Sequence, residues 1–185
     1  PRRQQLLCQI TEDFSVLPSQ IEERRDPSWT AQELPRQLAA QKALDVSSRN
    51  PAALVIGADT IVSLDGTVLG KPRDEADAAD MLRSLSGRTH QVYTGVTLIE
   101  VCADGSLREK SFYEETNVHV CQMTKDEIAS YVATGEPLDK AGAYGIQGTF
   151  SIYVSGIEGN YFNVVGLPVS RLYHEFAAFQ NAAHK

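Results

Sequence analysis

The sequence has few of the residues that build redox or metal centres. Its three cysteines are an odd number without metal-ligand spacing, and its four histidines form no zinc pattern. A disulfide framework and a structural zinc site are therefore not expected, and structural or surface roles suit all seven residues. Unpaired cysteines are typical of a reduced intracellular protein, so we expect a cytoplasmic location.

Long apolar runs and an excess of positive charge are also absent. No run is long enough to span a bilayer and no signal peptide is visible, so we expect no membrane partner. The formal net charge of −7 argues against a broad basic face that binds a nucleic-acid polymer. It still allows a small polyphosphate, held by a few local cations and a metal ion.

Helical and extended patterns alternate along the 185 residues, which are enough for one domain with a sizeable core. This alternation predicts the α/β class. Thr30 and Glu33 fit a capping box at the start of the second helix. Helices are predicted over 1–10, 30–47, 74–85, 124–134 and 168–180, and strands over 54–64, 91–102, 107–120 and 150–157. Asp65-Gly66 predicts a hairpin turn after the first strand.

One strand organises the rest of the chain. The apolar run 54–56 is typical of a strand buried on both faces, and two small residues separate it from Asp59 and Thr60. A carboxylate in a buried strand is costly unless it is neutralised, hydrogen-bonded or bound to a cation. The segment by itself is equally compatible with Asp59 as the cap of a turn.

Charged side chains in predicted loops and at the ends of elements form a candidate site. A phosphate chain needs cationic and N–H donors, and hydrolysis between its phosphates needs a metal held by carboxylates and a positioned water. Both kinds of group are present, although each residue could equally be an ordinary surface or loop side chain. The candidates at these places are Arg2, Arg3, Glu22, Glu23, Asp59, Lys71, Lys140 and the amide Gln147, and Lys42 of the helix predicted over 30–47 is a further candidate.

A series of motifs covers nearly the whole chain. They are Pro-Arg-Arg-Gln at 1–4, Gly-Ala-Asp-Thr at 57–60, Gly-Lys-Pro at 70–72, Leu-Ser-Gly-Arg at 85–88, Tyr-Thr-Gly at 93–95, Phe-Tyr-Glu-Glu-Thr at 112–116, Gly-Glu-Pro-Leu-Asp-Lys-Ala-Gly-Ala-Tyr-Gly-Ile-Gln-Gly at 135–148 and Asn-Val-Val-Gly-Leu-Pro at 163–168. In their order and spacing they resemble the Maf family of nucleoside triphosphate pyrophosphatases. The run that ends in Tyr-Gly-Ile-Gln-Gly is the most specific of them.

The resemblance implies a fold and a reaction. The fold would be a single domain over 1–185, with an elongated, curved mixed sheet flanked by helices, similar to the inosine triphosphate pyrophosphatases, and a cleft between two lobes. The reaction would convert a nucleoside triphosphate and water into the monophosphate and pyrophosphate, with a divalent cation, usually Mg²⁺. The resemblance also suggests a homodimer.

The family's functional positions can be carried over residue by residue. The resemblance implies that Asp59 is the catalytic acid residue, acting as general base or metal ligand, and that Glu23 is a second carboxylate near the metal. It implies that the phosphate-handling residues are Arg3, Lys42, Lys71 and Lys140.

Three further positions distinguish branches of the family. The branch acting on dTTP and UTP carries the residues found here as Arg2, Thr60 and Gln147. The branch acting on 7-methyl-GTP has an aromatic residue, a Gln and a Glu at those places. A Gln side chain offers a donor and an acceptor, which suits the imide edge of thymine or uracil. The resemblance therefore favours the pyrimidine branch.

Two alternative functions remain, and the sequence departs from the family's pattern at two places. The alternatives are a nucleotide-binding regulator of cell division with little or no turnover, and a 7-methyl-GTP pyrophosphatase. The family's first motif begins with a strand and a Ser, and neither precedes Pro1. If the protein starts there, we expect weakened phosphate binding and an unpaired sheet position. Residues 149–151 replace a glycine-containing turn, which predicts altered loop closure.

Overall fold

The computed structural model describes residues 2–182, and Pro1, the start of the first predicted helix, lies outside them. Its helices are α1 (Arg2–Leu7), α2 (Glu33–Arg49), α3 (Glu75–Leu85), α4 (Lys125–Val132), α5 (Tyr161–Val165) and α6 (Val169–Ala182). Its strands are β1 (Val55–Leu64), β2 (Thr67–Leu69), β3 (Thr89–Val101), β4 (Leu107–Val120) and β5 (Val154–Glu158). Short 3-10 turns cover Glu136–Asp139, Ala141–Ala143 and Thr149–Tyr153. No helix in this part of the chain is both long and apolar enough to cross a membrane.

The five strands form one open sheet in the order β2-β1-β3-β4-β5. The α/β class and the flanking helices are confirmed. Where the resemblance implied a mixed sheet, every strand pairing within residues 2–182 is antiparallel. Asp65 and Gly66 form the predicted hairpin turn, with φ values of 50° and 80° that match a type I′ turn.

Strand alternation divides the side chains of β1 between two faces of the sheet. Val62 belongs to the main hydrophobic cluster, which also draws on α3, α4 and α6. Ile61 points the other way and packs in a separate cluster with Leu38 of α2. By the same alternation, Asp59 lies on the face that α2 covers and Thr60 lies on the opposite face.

The helix α2 lies very close to the sheet at two glycines. A Cβ atom at Gly57 would overlap the carbonyl oxygen of Ala39, and one at Gly95 would overlap the backbone of Pro35. A larger residue at either position would push α2 away from β1 and β3. This close approach sets the height of Lys42 above the sheet.

The start of α2 follows the predicted capping pattern. The N–H of Thr30 donates to the Glu33 carboxylate (2.9 Å), and the N–H of Glu33 donates to the Thr30 hydroxyl (3.2 Å). The capping box is therefore formed, although regular helix begins only at Glu33.

Two stretches between residues 150 and 165 differ from the sequence prediction. The strand predicted over 150–157 is wrong in its first half, because a 3-10 turn there directs Phe150 into a buried aromatic cluster with Tyr144, at a centroid distance of 4.6 Å. The helix α5 was not predicted. Its signal is the side chain of Asn160, which accepts the N–H groups of Phe162 and Asn163 as an N-cap.

His90 makes the stability of the fold depend on pH. Its ring is fully buried, its Nε2 lies 2.7 Å from the Tyr144 hydroxyl, and its Nδ1 has no partner among the described residues. Burial, with a smaller effect from His119, lowers the pKa of His90 from 6.5 to about 4. The imidazole is therefore neutral in the folded protein at neutral pH.

We expect this histidine to destabilise the fold in mild acid. The unfolded chain takes up the proton near pH 6.5, so the contribution of His90 is complete above that pH and is lost as the pH falls towards 4. The loss between pH 7.5 and 4.5 should be about 2–3 kcal/mol. Urea unfolding at both pH values should show a smaller decline for His90→Gln than for the wild type. Equal declines would contradict this role.

Candidate active site

A cleft of about 870 Å³ lies beside β1, where Asp59, Thr60, Ile61 and Val62 line it. The strand pairs with β3 from Val55 to Ser63 and with β2 from Val62 to Leu64. The cleft therefore meets β1 where its pairing with β2 begins. Because neighbouring side chains leave a strand on opposite faces, the cleft receives Asp59 from one face and Thr60 from the other.

On the α2 face, one ammonium group lies between two carboxylates. The Nζ atom of Lys42 is 2.5 Å from Asp59 Oδ1 and 2.8 Å from Glu23 Oε1. Burial lowers the pKa of Lys42, but the two carboxylates outweigh burial and the net pKa is raised. The hydrogen bond from Lys42 lowers the pKa of Glu23, and Arg25 adds to this effect from the other side of the carboxylate.

Glu23 reaches this position because its loop is fastened along α2. The side-chain amide of Gln41 accepts the N–H of Arg24 (3.0 Å) and donates to the carbonyl of the same residue (2.9 Å). One turn further along the helix, Asp45 accepts the N–H of Gln20 (2.9 Å). The loop therefore runs beside the helix and presents Glu23 to the ammonium of Lys42.

On the opposite face, a chain of hydrogen bonds leads from Arg3 into the core. Arg3 donates to the Thr60 hydroxyl (3.0 Å), which lies 2.9 Å from the hydroxyl of Thr94. Thr94 donates its hydrogen to the carbonyl of Asn163 (2.9 Å). A hydroxyl has one hydrogen, so Thr60 must donate to Thr94 and accept from Arg3. The buried Thr94 therefore fixes the donor and acceptor roles in this series of hydrogen bonds.

Arg3 has a second anchor at the carbonyl of Gly166, 2.9 Å from its Nε. Arg3 is an exposed residue that lines the cleft. Desolvation by the protein around its guanidinium lowers its pKa, while the charge of Asp59 opposes the change and that of Arg2 adds to it. Arg3 is thus held at a fixed place beside Asp59 and Thr60 of β1.

Two lysines border the cleft on its far side. The ammonium of Lys140 donates to the carboxylate of Asp139 (2.6 Å). Lys71 is exposed and follows Gly70, whose carbonyl accepts the N–H of Gly142 (3.0 Å). This bond joins the end of the β1–β2 hairpin to the turn after Lys140, so both lysines line the same cavity.

The cleft brings together most of the residues that the sequence predicts for the site. It is lined by Arg2, Arg3, Glu23, Lys42, Asp59, Thr60, Lys71 and Lys140. Gln147 is exposed and does not line it, although its neighbours Gly145 and Ile146 do.

Sequence reasoning missed Arg25 and Asp139, which also line the cleft. Asp139 accepts the hydrogen bond from Lys140, which lowers its pKa, and the charge of Arg2 acts in the same direction. The only signal for either residue was its place next to a predicted one, Arg25 in the Glu23 loop and Asp139 directly before Lys140.

The charged groups of the cleft suit a polyanion with a bound cation. Its lining contains six Lys and Arg side chains and three carboxylates. Among residues 2–182, no group of three His, Cys, Asp or Glu side chains is placed to hold a metal by itself. Mg²⁺ is commonly held by one or two carboxylates together with water and substrate phosphates. The pair of Glu23 and Asp59 fits that mode of binding.

The hydroxyl chain gives a test of Thr94. Thr94→Val keeps the shape of the side chain but removes the group that accepts from Thr60 and donates to Asn163. The free energy of unfolding should fall by about 1–2 kcal/mol, as measured by urea unfolding, and Thr94→Ser should restore most of it. The cost should shrink in a Thr60→Val background, since that change breaks the same chain. If the losses in free energy of unfolding from the two valine changes were fully additive, the coupling between Thr60 and Thr94 would be refuted.

Comparison with known proteins identifies the family of this chain. A family model described as Maf-like protein matches residues 1–179. A dTTP/UTP pyrophosphatase of Carboxydothermus hydrogenoformans is 51% identical over 175 residues, covering 95% of this chain and 92% of that protein. Those of Agathobacter rectalis and Bacillus cytotoxicus are 48% and 45% identical over 187 and 185 residues, covering 95% and 99% of this chain and 91% and 93% of theirs. The chain belongs to the Maf-like protein family.

Proposed function

We propose that this protein is a nucleoside triphosphate pyrophosphatase that hydrolyses dTTP and UTP to the monophosphate and pyrophosphate. The observation that carries the proposal is the cleft beside β1, where six cationic side chains surround the paired carboxylates of Asp59 and Glu23. The names of the curated relatives support the same reaction.

The cationic side chains would bind the triphosphate. Arg3 is held by Thr60 and Gly166, so its guanidinium meets the substrate at little further cost in side-chain entropy. Lys71 and Lys140 would approach from the other side of the cleft. As the bond between the α- and β-phosphates breaks, negative charge moves to the leaving pyrophosphate, and these three cations would stabilise it.

We assign the catalytic role to Asp59, as the base that takes a proton from the attacking water or as a ligand of the cation. Glu23 and Asp59 would hold a divalent cation, which we expect to be Mg²⁺ and which would supply positive charge to the phosphates. Lys42 bonds to one oxygen of each carboxylate, and Arg25 bonds to the other oxygen of Glu23. Lys42 therefore sets the direction in which Asp59 presents its remaining oxygen.

The preference for pyrimidines would come from Arg2, Thr60 and Gln147. The hydroxyl hydrogen of Thr60 is engaged by Thr94, so we propose that Thr60 contributes by holding Arg3 rather than by donating to the base. Gln147, which is exposed beside the lining residue Ile146, would then read the imide edge of thymine or uracil.

The cell compartment and the assembly are further proposals. We propose a cytoplasmic enzyme, since Cys8, Cys102 and Cys121 are all unpaired. We also propose a homodimer, on the basis of the family resemblance alone. Sedimentation of the purified protein would test the dimer.

We expect pyrophosphate release from dTTP and UTP in the presence of Mg²⁺, with little release from CTP or 7-methyl-GTP. A chelator should abolish the reaction. The measurement is pyrophosphate produced per enzyme, with the folded state checked by circular dichroism. Binding of dTTP without release would instead support the nucleotide-binding regulator, and release from 7-methyl-GTP would support the other branch.

Asp59→Asn should lower kcat by about a hundredfold or more, because an amide neither takes up the proton nor neutralises a cation. The amide oxygen can still accept from Lys42, so the melting temperature should change little. Asp80→Asn, an exposed acid outside the cleft that pairs with Arg83, is the matched control and should keep full activity. Undiminished turnover in Asp59→Asn would exclude the catalytic role.

A further inference from the structure

Glu136 is a residue of the long 135–148 motif to which the proposed reaction gives no role. It does not line the cleft. Its Oε1 accepts a hydrogen bond from the Tyr131 hydroxyl (3.1 Å), and its Oε2 accepts one from the backbone N–H of Thr149 (3.1 Å). The carboxylate thus connects the end of α4 to the chain that follows Gln147.

Tyr131 provides a second attachment for the same chain. Its hydroxyl accepts the backbone N–H of Gly145 at 3.4 Å while it donates to Glu136. Burial and the charge of Glu136 raise the pKa of Tyr131 far above its ordinary value, so the phenol keeps its hydrogen. The turn over 145–149 is therefore fastened at both of its ends, through Tyr131 at one and Glu136 at the other.

The backbone of Glu136 also fixes Lys140. Its carbonyl oxygen accepts a hydrogen bond from the ammonium of Lys140 (2.6 Å). The stem of that lysine passes directly over Gly145, where an added Cβ would lie 2.9 Å from Lys140 Cε. Glu136 therefore positions both Lys140, a cation of the cleft, and the turn that carries Gln147.

Gly148 shows how closely the turn fits the carboxylate. A Cβ atom built there would overlap the Glu136 side chain, and the three nearest atoms it would meet all belong to that residue. The backbone of Gly148 has a φ of −96°, outside the left-handed region that favours glycine. The nearest obstacle to a side chain at 148 is therefore the Glu136 carboxylate.

We propose that Glu136 is a positioning residue for substrate recognition, holding Lys140 and the 145–149 turn in the geometry that distinguishes pyrimidine nucleotides. The inference rests on the proposed function and deepens it. It does not place Glu136 in contact with the substrate. It makes the discrimination between substrates depend on a carboxylate that lies behind the cleft.

The first experiment compares Glu136→Ala with Glu136→Gln. The alanine variant should lower kcat/KM for dTTP about tenfold or more and reduce the ratio of dTTP to 7-methyl-GTP turnover by a similar factor. The glutamine variant keeps an acceptor for Thr149 and can donate to Tyr131, so it should recover most of both quantities. Ile99→Val, a buried change at the far end of β3, is the control that lowers stability without moving the ratio.

The second experiment uses Gly148→Ala in both backgrounds. In the wild type the added methyl group should displace the Glu136 carboxylate and lower kcat/KM for dTTP about tenfold. In the Glu136→Ala background the methyl group has room, so the same change should cost less than about twofold. This dependence on background is one that a general loss of stability would not produce.

The two experiments decide the inference. An equal cost of Gly148→Ala in both backgrounds would overturn it, and so would an unchanged substrate ratio in Glu136→Ala. Failure of the proposed function gives a different result, because the wild-type protein would then release no pyrophosphate from dTTP. Wild-type release combined with either of the first two results refutes the role of Glu136 and leaves the reaction standing.

Discussion

The ammonium group of Lys42 is bonded to two carboxylates from different parts of the chain, and the rest of the cleft depends on this meeting. A partly buried carboxylate without such a partner would be costly, and here one lysine serves two. For its ammonium to reach Asp59, α2 must lie as close to the sheet as Gly57 allows. For the Glu23 carboxylate to reach the Lys42 ammonium, its loop must lie along the same helix, where Gln41 bonds to it.

The cleft concentrates positive charge in a chain that is acidic as a whole. Six cations and three acids line it, while the entire sequence has a net charge of −7. The surface outside the cleft therefore carries a clear excess of acids. Such a distribution attracts a small polyanion into the cavity and repels a long one that would have to run across the remaining surface.

The sequence predicts what depends on local pattern. The strand β1, its Asp-Gly turn and the capping box before α2 are all formed, and eight predicted site residues line one cleft. What pattern could not reveal depends on tertiary contacts. The irregular loop that carries Glu23 is held by side-chain bonds from α2, and Phe150 leaves the predicted strand because an aromatic cluster buries it. Gln147, placed in the site by resemblance, lies outside its lining.

The division of Asp59 and Thr60 between two faces restricts where this chain can change in length. Both residues belong to a register with β3 that is continuous from Val55 to Ser63. Inserting or deleting one residue ahead of them would exchange their faces, sending the acid to the Arg3 side and the hydroxyl to Lys42. The β1–β3 pairing therefore tolerates no insertion or deletion ahead of Asp59. Changes in length are confined to turns such as 102–106, beyond the end of β3.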